Sequence, residues 1–188
     1  MWLFEPGQTL RNGVPAKPIS DLASYTSLIS DSLVHDVVPF VDQNWRTIPD
    51  RENRAIAGLS MGGAQSLYTA FHKIDAFAWA ASFSGAFVLW PGVSAGRELR
   101  PENLPNIFPG IDASVNSKLR LLYISCGTDD FLIGPNRQFK NWLQSKNVHF
   151  VDVETPGYAH VWRYWRKSLI DFAPRLFRTS NSLTAIGR

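Results

Sequence analysis

The sequence predicts an α/β fold, a mostly parallel sheet with helices on both faces in a single domain. Three observations carry that reading. Short apolar runs at 54–57, 76–83, 119–125 and 148–154 alternate with segments whose apolar residues recur at helical spacing. The first run enters a glycine-rich corner, Gly58-Leu59-Ser60-Met61-Gly62-Gly63, that leads into a helix of small residues. Candidate reactive side chains (Ser60, the pair Asp129–Asp130, and His160) then follow three different strands, at the ends where functional groups gather in such sheets.

Taken in order, residues 1–19 carry Pro6, Gly7, Gly13, Pro15 and Pro18 and read as loop. Ser20 or Asp21 caps a long helix with an apolar stripe at Leu22, Tyr25, Ile29, Leu33, Val37, Phe40 and Val41, ending near Trp45. Pro39 lacks a backbone donor and should kink it. A polar connection over 47–54 leads to the corner, and Ala64–Phe71 is the helix beyond it. The run ending at Phe83 exits through Ser84-Gly85-Ala86. Residues 87–118, rich in Pro and Gly, read as a long irregular excursion. Loops of that length inside compact domains are usually functional, so a substrate-covering role is expected. The clearest strand is Leu119–Ser125, with a terminal turn at 126–130. Phe139, Trp142 and Leu143 mark a further helix. The last helix buries Trp162, Trp165, Leu169, Phe172 and Leu176 and turns Arg163, Arg166 and Lys167 to solvent. The tail over 180–188 reads as frayed, and no internal repeat is present.

Composition bounds the rest. The 188 residues suffice for one core and are too few for two ordinary domains. A hydrophobic fraction of 45% with 19% charged residues describes a globular chain. Seven Trp and twelve Phe are enough to fill a core and also line a pocket for a ring-bearing ligand. The net charge is +3, but the basic residues are scattered among sixteen acids, which argues against nucleic acid as a partner. Cys126 is alone, so neither an internal disulfide nor a multi-cysteine metal site can form. No run approaches the roughly 18 apolar residues of a membrane span. Glu5-Pro6-Gly7 interrupts any signal-peptide core, so with Met1 as the true start the protein stays where it is made.

Gly58-x-Ser60-x-Gly62 between a strand and a helix fits a nucleophile elbow, a strained corner that exposes a serine hydroxyl. Its flanking residues must be small for strand and helix to approach. A serine hydroxyl needs a base within reach, and the base needs a carboxylate to fix its tautomer. Among His35, His72, His149 and His160, only His160 lies in a loop after a strand. The carboxylate is Asp129 or Asp130, the other being a turn former. Acyl chemistry also needs donors for the developing oxyanion, and the N–H of Met61 supplies one. No His-Gly loop after an upstream strand offers the second.

These residues resemble the putative-esterase family of α/β-hydrolases, which includes S-formylglutathione hydrolases and mycolyltransferases, and most of all its feruloyl and acetyl-xylan esterase branch. The resemblance is carried by Asp50–Gly63, by Cys126-Gly127-Thr128-Asp129-Asp130-x-Leu132-Ile133-Gly134, and by Gly157-x-x-His160. It covers most of residues 20–177. It implies an α/β-hydrolase fold and a Ser60–Asp130–His160 triad. It also implies acyl-enzyme chemistry with no cofactor or metal. The implied substrate is an acyl group esterified to plant cell-wall sugar. Gln65 and Trp90 are candidates to approach it. By the same resemblance the chain corresponds to the C-terminal two-thirds of such an esterase. Several strands and the His-Gly loop are missing, leaving an open sheet edge beside the elbow strand that a homodimer would cover. Members of this branch are often secreted, so a start upstream of Met1 would place the protein outside the cell. Two other readings fit the same residues. An acyltransferase on the same triad predicts transfer to an added sugar in excess of hydrolysis. A non-catalytic carbohydrate-binding remnant predicts sugar binding untouched by Ser60→Ala.

Overall fold

A computed structural model describes residues 22–95 and 98–178; the loop expected over 1–19, the cap at Ser20 or Asp21 and the tail over 180–188 lie outside them. The first helix, α1 (Leu22–Ser32), passes through a five-residue π-helical segment, Leu33–Val37, into α2 (Val38–Asn44). The π segment lies where the kink at Pro39 is predicted. The wider turn, closed by Val38 N–H on the carbonyl of Leu33, eases the crowding that a proline ring imposes on the preceding turn. The stripe on this arm is not buried as its spacing suggests. Val37, Phe40 and Trp45 are exposed, because no described element lies over them.

Next come β1 (Ala55–Leu59), α3 (Met61–His72) and β2 (Trp79–Phe83). The excursion over 87–118 is not a bare loop. It holds a two-stranded ribbon, β3 (Ser94–Ala95) and β4 (Glu98–Leu99), and two short helices, α4 (Leu104–Ile107) and α5 (Val115–Lys118). Val93, Leu99, Leu104, Phe108 and Val115 are buried in the main core, and they hold the segment down. The chain closes with β5 (Leu121–Gly127), α6 (Ile133–Ser145), β6 (Val151–Thr155) and α7 (Trp162–Phe172). None of these helices is long and apolar enough to cross a membrane.

The sheet runs β1-β2-β5-β6, all parallel. Its two central strands are buried throughout, as expected of strands covered on both faces. Alternation sorts their side chains. Ala80, Leu122 and Ile124 face α3, α6 and the excursion, whereas Trp79, Ala81, Phe83, Leu121 and Tyr123 face α7. Among the described residues β1 has one neighbour, so its other edge is open. An apolar groove of about 630 Å³ runs along it, lined in part by Val37, Val41, Ile48, Ile56 and Phe177.

An ionic clamp ties α6 to β6. The buried Lys140 Nζ lies 2.6 Å from both Asp152 Oδ1 and Glu154 Oε1, and Arg137 reaches the other Glu154 oxygen. The hydrogen bond from Arg137, reinforced by Lys140, holds the Glu154 carboxyl down at about 2 against an ordinary 4.5. A carboxylate depressed on folding contributes stability that is full above its unfolded value and disappears as pH falls through the folded one. Glu154→Gln is therefore expected to lower stability by about 1 kcal/mol at neutral pH. In urea unfolding the gap should shrink progressively below pH 4.5. An equal gap at neutral pH and at low pH would show that the contact is not ionic.

Candidate active site

Ser60 is the single residue between β1 and α3, with φ 52° and ψ −120°. That is the first central position of a type II′ turn, a conformation costly for any side chain but glycine's. The surroundings enforce it. Ser60 N–H donates to Phe83 O at 2.9 Å, and its carbonyl accepts from Gly63, Ala64 and Ala86. The end of β2 thus fixes the corner from one side and α3 from the other. A Cβ on Gly58 would sit 2.2 Å from the Gly62 carbonyl oxygen, and one on Gly63 2.5 Å from Ser82 Oγ. Gly62, the last position of the motif, has open space instead. The strand–helix approach therefore requires Gly58 and Gly63, and the expectation that every flanking position must be small holds for those two.

A serine opening a helix ordinarily caps it with its side chain. Ser60 does not. Its Oγ lies 2.9 Å from His160 Nε2, and His160 Nδ1 lies 2.9 Å from Asp130 Oδ2 and 3.1 Å from Oδ1. A carboxylate can only accept, so Nδ1 carries the proton and Nε2 is left as an acceptor facing the hydroxyl. Asp130 is 2% exposed, and its Oδ1 accepts a further bond from Leu132 N–H at 2.9 Å. Of the paired aspartates, Asp129 is the turn former. It is exposed, and its carboxylate accepts from Thr128 Oγ1. His35, His72 and His149 take no part: His72 bonds Tyr68 O and stacks on its ring.

The loops carrying Asp130 and His160 are bound to each other. Asp129 N–H donates to Tyr158 O, Thr128 N–H to Thr155 O, and Gly157 N–H to Thr128 Oγ1. A Cβ on Gly127 would lie 2.0 Å from Tyr158 O, so glycine there lets the two loops close. The sequence places Gly127 in the turn that ends its strand; the contact with Tyr158 that requires glycine there is not visible in it. The imidazole is held between two aromatic rings, Phe131 at 4.7 Å and Trp165 at 4.8 Å between centroids. Phe131 is 61% exposed and Trp162, against Trp165, is 66% exposed. Each is an unexpected finding, since Trp162 reads as core from its helical spacing.

Met61 opens α3, and its N–H makes no hydrogen bond among the described residues. Helices rather than a strand and loop precede β1, so among the described residues no early-strand loop offers a second donor. Gln65, one turn after Met61, is half-buried on α3. Trp90 is corrected by the structure. It is 2% exposed, packs on Phe87, Phe108 and Phe139, and donates through Nε1 to Ala64 O. It therefore braces the first turn of α3 from the core and does not reach the serine. Among the described residues no three His, Cys, Asp or Glu side chains are grouped to hold a metal ion. Chemically, the arrangement offers a hydroxyl that can pass its proton to a neutral imidazole, whose positive charge a buried carboxylate would then stabilise.

Comparison with known proteins places this geometry. The family model described as "Putative esterase" matches residues 20–176. A xylanase/feruloyl esterase of Xylanibacter ruminicola is 25% identical over 146 residues, covering 78% of this chain and 17% of that protein. An acetyl esterase of Caldicellulosiruptor saccharolyticus is 25% identical over 154 residues, covering 71% of this chain and 58% of the relative. Among solved structures, a ferulic acid esterase from Anaeromyces mucronatus in complex with ferulic acid superposes with a TM-score of 0.66. Identity there is 22%, with 88% of this chain and 61% of that one covered. The chain thus spans less than two thirds of the length of these relatives. With the parallel sheet, the elbow and a family match over most of its length, this chain belongs to the putative-esterase family and has an α/β-hydrolase-type fold.

Proposed function

We propose that the protein is a serine carboxylic-ester hydrolase acting on acyl groups attached to plant cell-wall carbohydrate. The observation that carries this reading is the unbroken chain of contacts from Ser60 Oγ through His160 to Asp130. Ser60 Oγ adds to the ester carbonyl carbon as its proton passes to His160 Nε2. The Met61 N–H donates a hydrogen bond to the carbonyl oxygen as negative charge develops on it. Collapse breaks the bond to the sugar oxygen, which leaves with the proton from His160. Water then repeats the sequence on the acyl-enzyme, releasing the acid and restoring Ser60.

The acyl group is of the feruloyl type. Met61, Phe131 and Val161 each directly follow a member of the triad, and all three are exposed apolar side chains, with Trp162 beside them. An acetyl group would leave this surface wet, whereas a planar ring would cover Phe131 next to the imidazole. An aromatic contact of this kind contributes about 1 kcal/mol. Phe131→Ala is therefore expected to lower kcat/KM for methyl ferulate about five- to tenfold while changing that for 4-nitrophenyl acetate less than about twofold. Equal losses on both esters would remove Phe131 from acyl recognition. A folded wild-type protein that cleaves neither ester, and takes no label from a serine-directed phosphonate, would overturn the hydrolase reading.

A further inference from the structure

We propose that the outer face of α7, together with Tyr158, binds a carboxylated sugar residue of a polysaccharide at a site separate from Ser60. A surface cavity of about 620 Å³ is lined by Tyr158, Arg163, Arg166, Lys167, Ile170 and Asp171. Positions 163, 166 and 167 share one helix face, and like charges at that spacing slightly destabilise a helix. Helix stability therefore does not account for the grouping. None of the three cations has a carboxylate within ion-pair distance among the described residues. Arg51, Arg54, Lys73, Arg120, Arg137, Lys140 and Arg175 have one, and the other described cations without one, Arg46, Arg100, Lys118, Lys146 and Arg178, are not grouped on one helix face. The acid that lines the cavity, Asp171, is taken by Arg175 and by Tyr123 Oη. No acidic residue occurs from Thr155 to Ile170, and apart from these three cations the chain's basic and acidic residues balance.

The lining selects the ligand's chemistry. Arginine forks recognise carboxylates in pairs of parallel hydrogen bonds. The Tyr158 ring, with Arg163 5.7 Å from its centroid, and the exposed Ile170 offer an apolar floor for the C–H face of a sugar. An inorganic anion would leave that floor unused, and a neutral sugar would leave the cations unused. A uronic acid uses both. Tyr158 lies two residues before His160 and Arg163 three after it, so the cavity begins at the loop that carries the imidazole and continues down α7. A polysaccharide esterified at one sugar would cross from the serine onto this face. That the bound sugar belongs to the same polymer as the scissile ester rests on the hydrolase reading; the affinity itself does not.

The test is calorimetric titration of trigalacturonate, xylotriose and a thymidine hexanucleotide into wild-type protein and Ser60→Ala. Trigalacturonate should bind both proteins equally, weaken as salt is raised, and exceed xylotriose by at least about tenfold. The variant Arg163→Gln/Arg166→Gln/Lys167→Gln should lower its affinity at least about tenfold. The control Arg46→Gln/Arg100→Gln/Lys118→Gln removes three exposed cations elsewhere and should change it less than about twofold. Should the α7 triple variant melt early, Arg166→Glu alone carries the same expectation. Equal losses in α7 variant and control, no preference over xylotriose, or tighter binding of the hexanucleotide would overturn the site. Binding without ester hydrolysis would sink the hydrolase reading and leave this one standing; hydrolysis without binding would do the reverse.

Discussion

Replacing Ser60 by alanine is expected to lower kcat on any cleaved ester by roughly 10⁵- to 10⁶-fold, with KM little changed. In the proposed mechanism the hydroxyl forms the covalent bond, and none of its neighbours can substitute. Ser66 and Ser82, the nearest serines on α3 and β2, are buried behind the elbow. What survives is the polarisation that Met61 N–H gives a bound carbonyl, worth far less than the nucleophile. Stability should respond differently. Alanine at φ 52° is as strained as serine, so Ser60→Ala should melt close to wild type. Ser60→Gly relieves the strain and should gain about 1 kcal/mol while being equally inactive. Denaturant unfolding of the three proteins beside their turnover checks both halves. Activity surviving in Ser60→Ala would exclude the serine mechanism, whatever the phosphonate labels. A glycine variant no more stable than wild type would mean the corner stores no strain.

The elbow was legible in the sequence for the same reason that it is strained. A serine forced into a glycine-like conformation between strand and helix leaves a trace of small residues around it, and Gly58 and Gly63 could hardly be anything else. The parallel sheet was legible because its central strands are buried on both faces and so appear as unbroken apolar runs. The excursion was not legible. Its Pro and Gly residues are visible at short range, but Val93, Leu99, Leu104 and Phe108 are buried by α3 and α6 contacts that no local pattern records. Trp90 shows the cost of that blindness, since an aromatic in a supposed loop reads as a ligand contact when it is core. Trp162 shows the opposite error. Helical spacing assigned it to the buried stripe, although α7 buries Tyr164, Trp165, Ser168 and Phe172 and turns Trp162 toward solvent beside His160. Periodicity finds an apolar face; it does not reveal where the neighbouring layer ends.

The paired acids allow the sharpest test of the site, because Asp129 and Asp130 differ by one position and the structure gives them opposite environments. Asp130→Asn is expected to lower kcat about 10⁴-fold with the fold intact. The Leu132 N–H bond needs only one oxygen, which asparagine keeps, so the side chain should stay in place. Its amide then presents N–H toward His160 Nδ1 and selects the tautomer with the proton on Nε2. That nitrogen faces Ser60 Oγ at 2.9 Å and can no longer accept its proton. Asp129→Asn alters an exposed carboxylate whose partner is Thr128, while the backbone bond from Asp129 N–H to Tyr158 O survives any side chain. It should stay within about threefold of wild type. Turnover of the two variants under one set of conditions decides the matter. A large loss at Asp129 with little at Asp130 would transfer the orienting role to the exposed acid. Comparable losses at both would mean that the 127–158 loop contact, rather than either carboxylate, is what sets the imidazole.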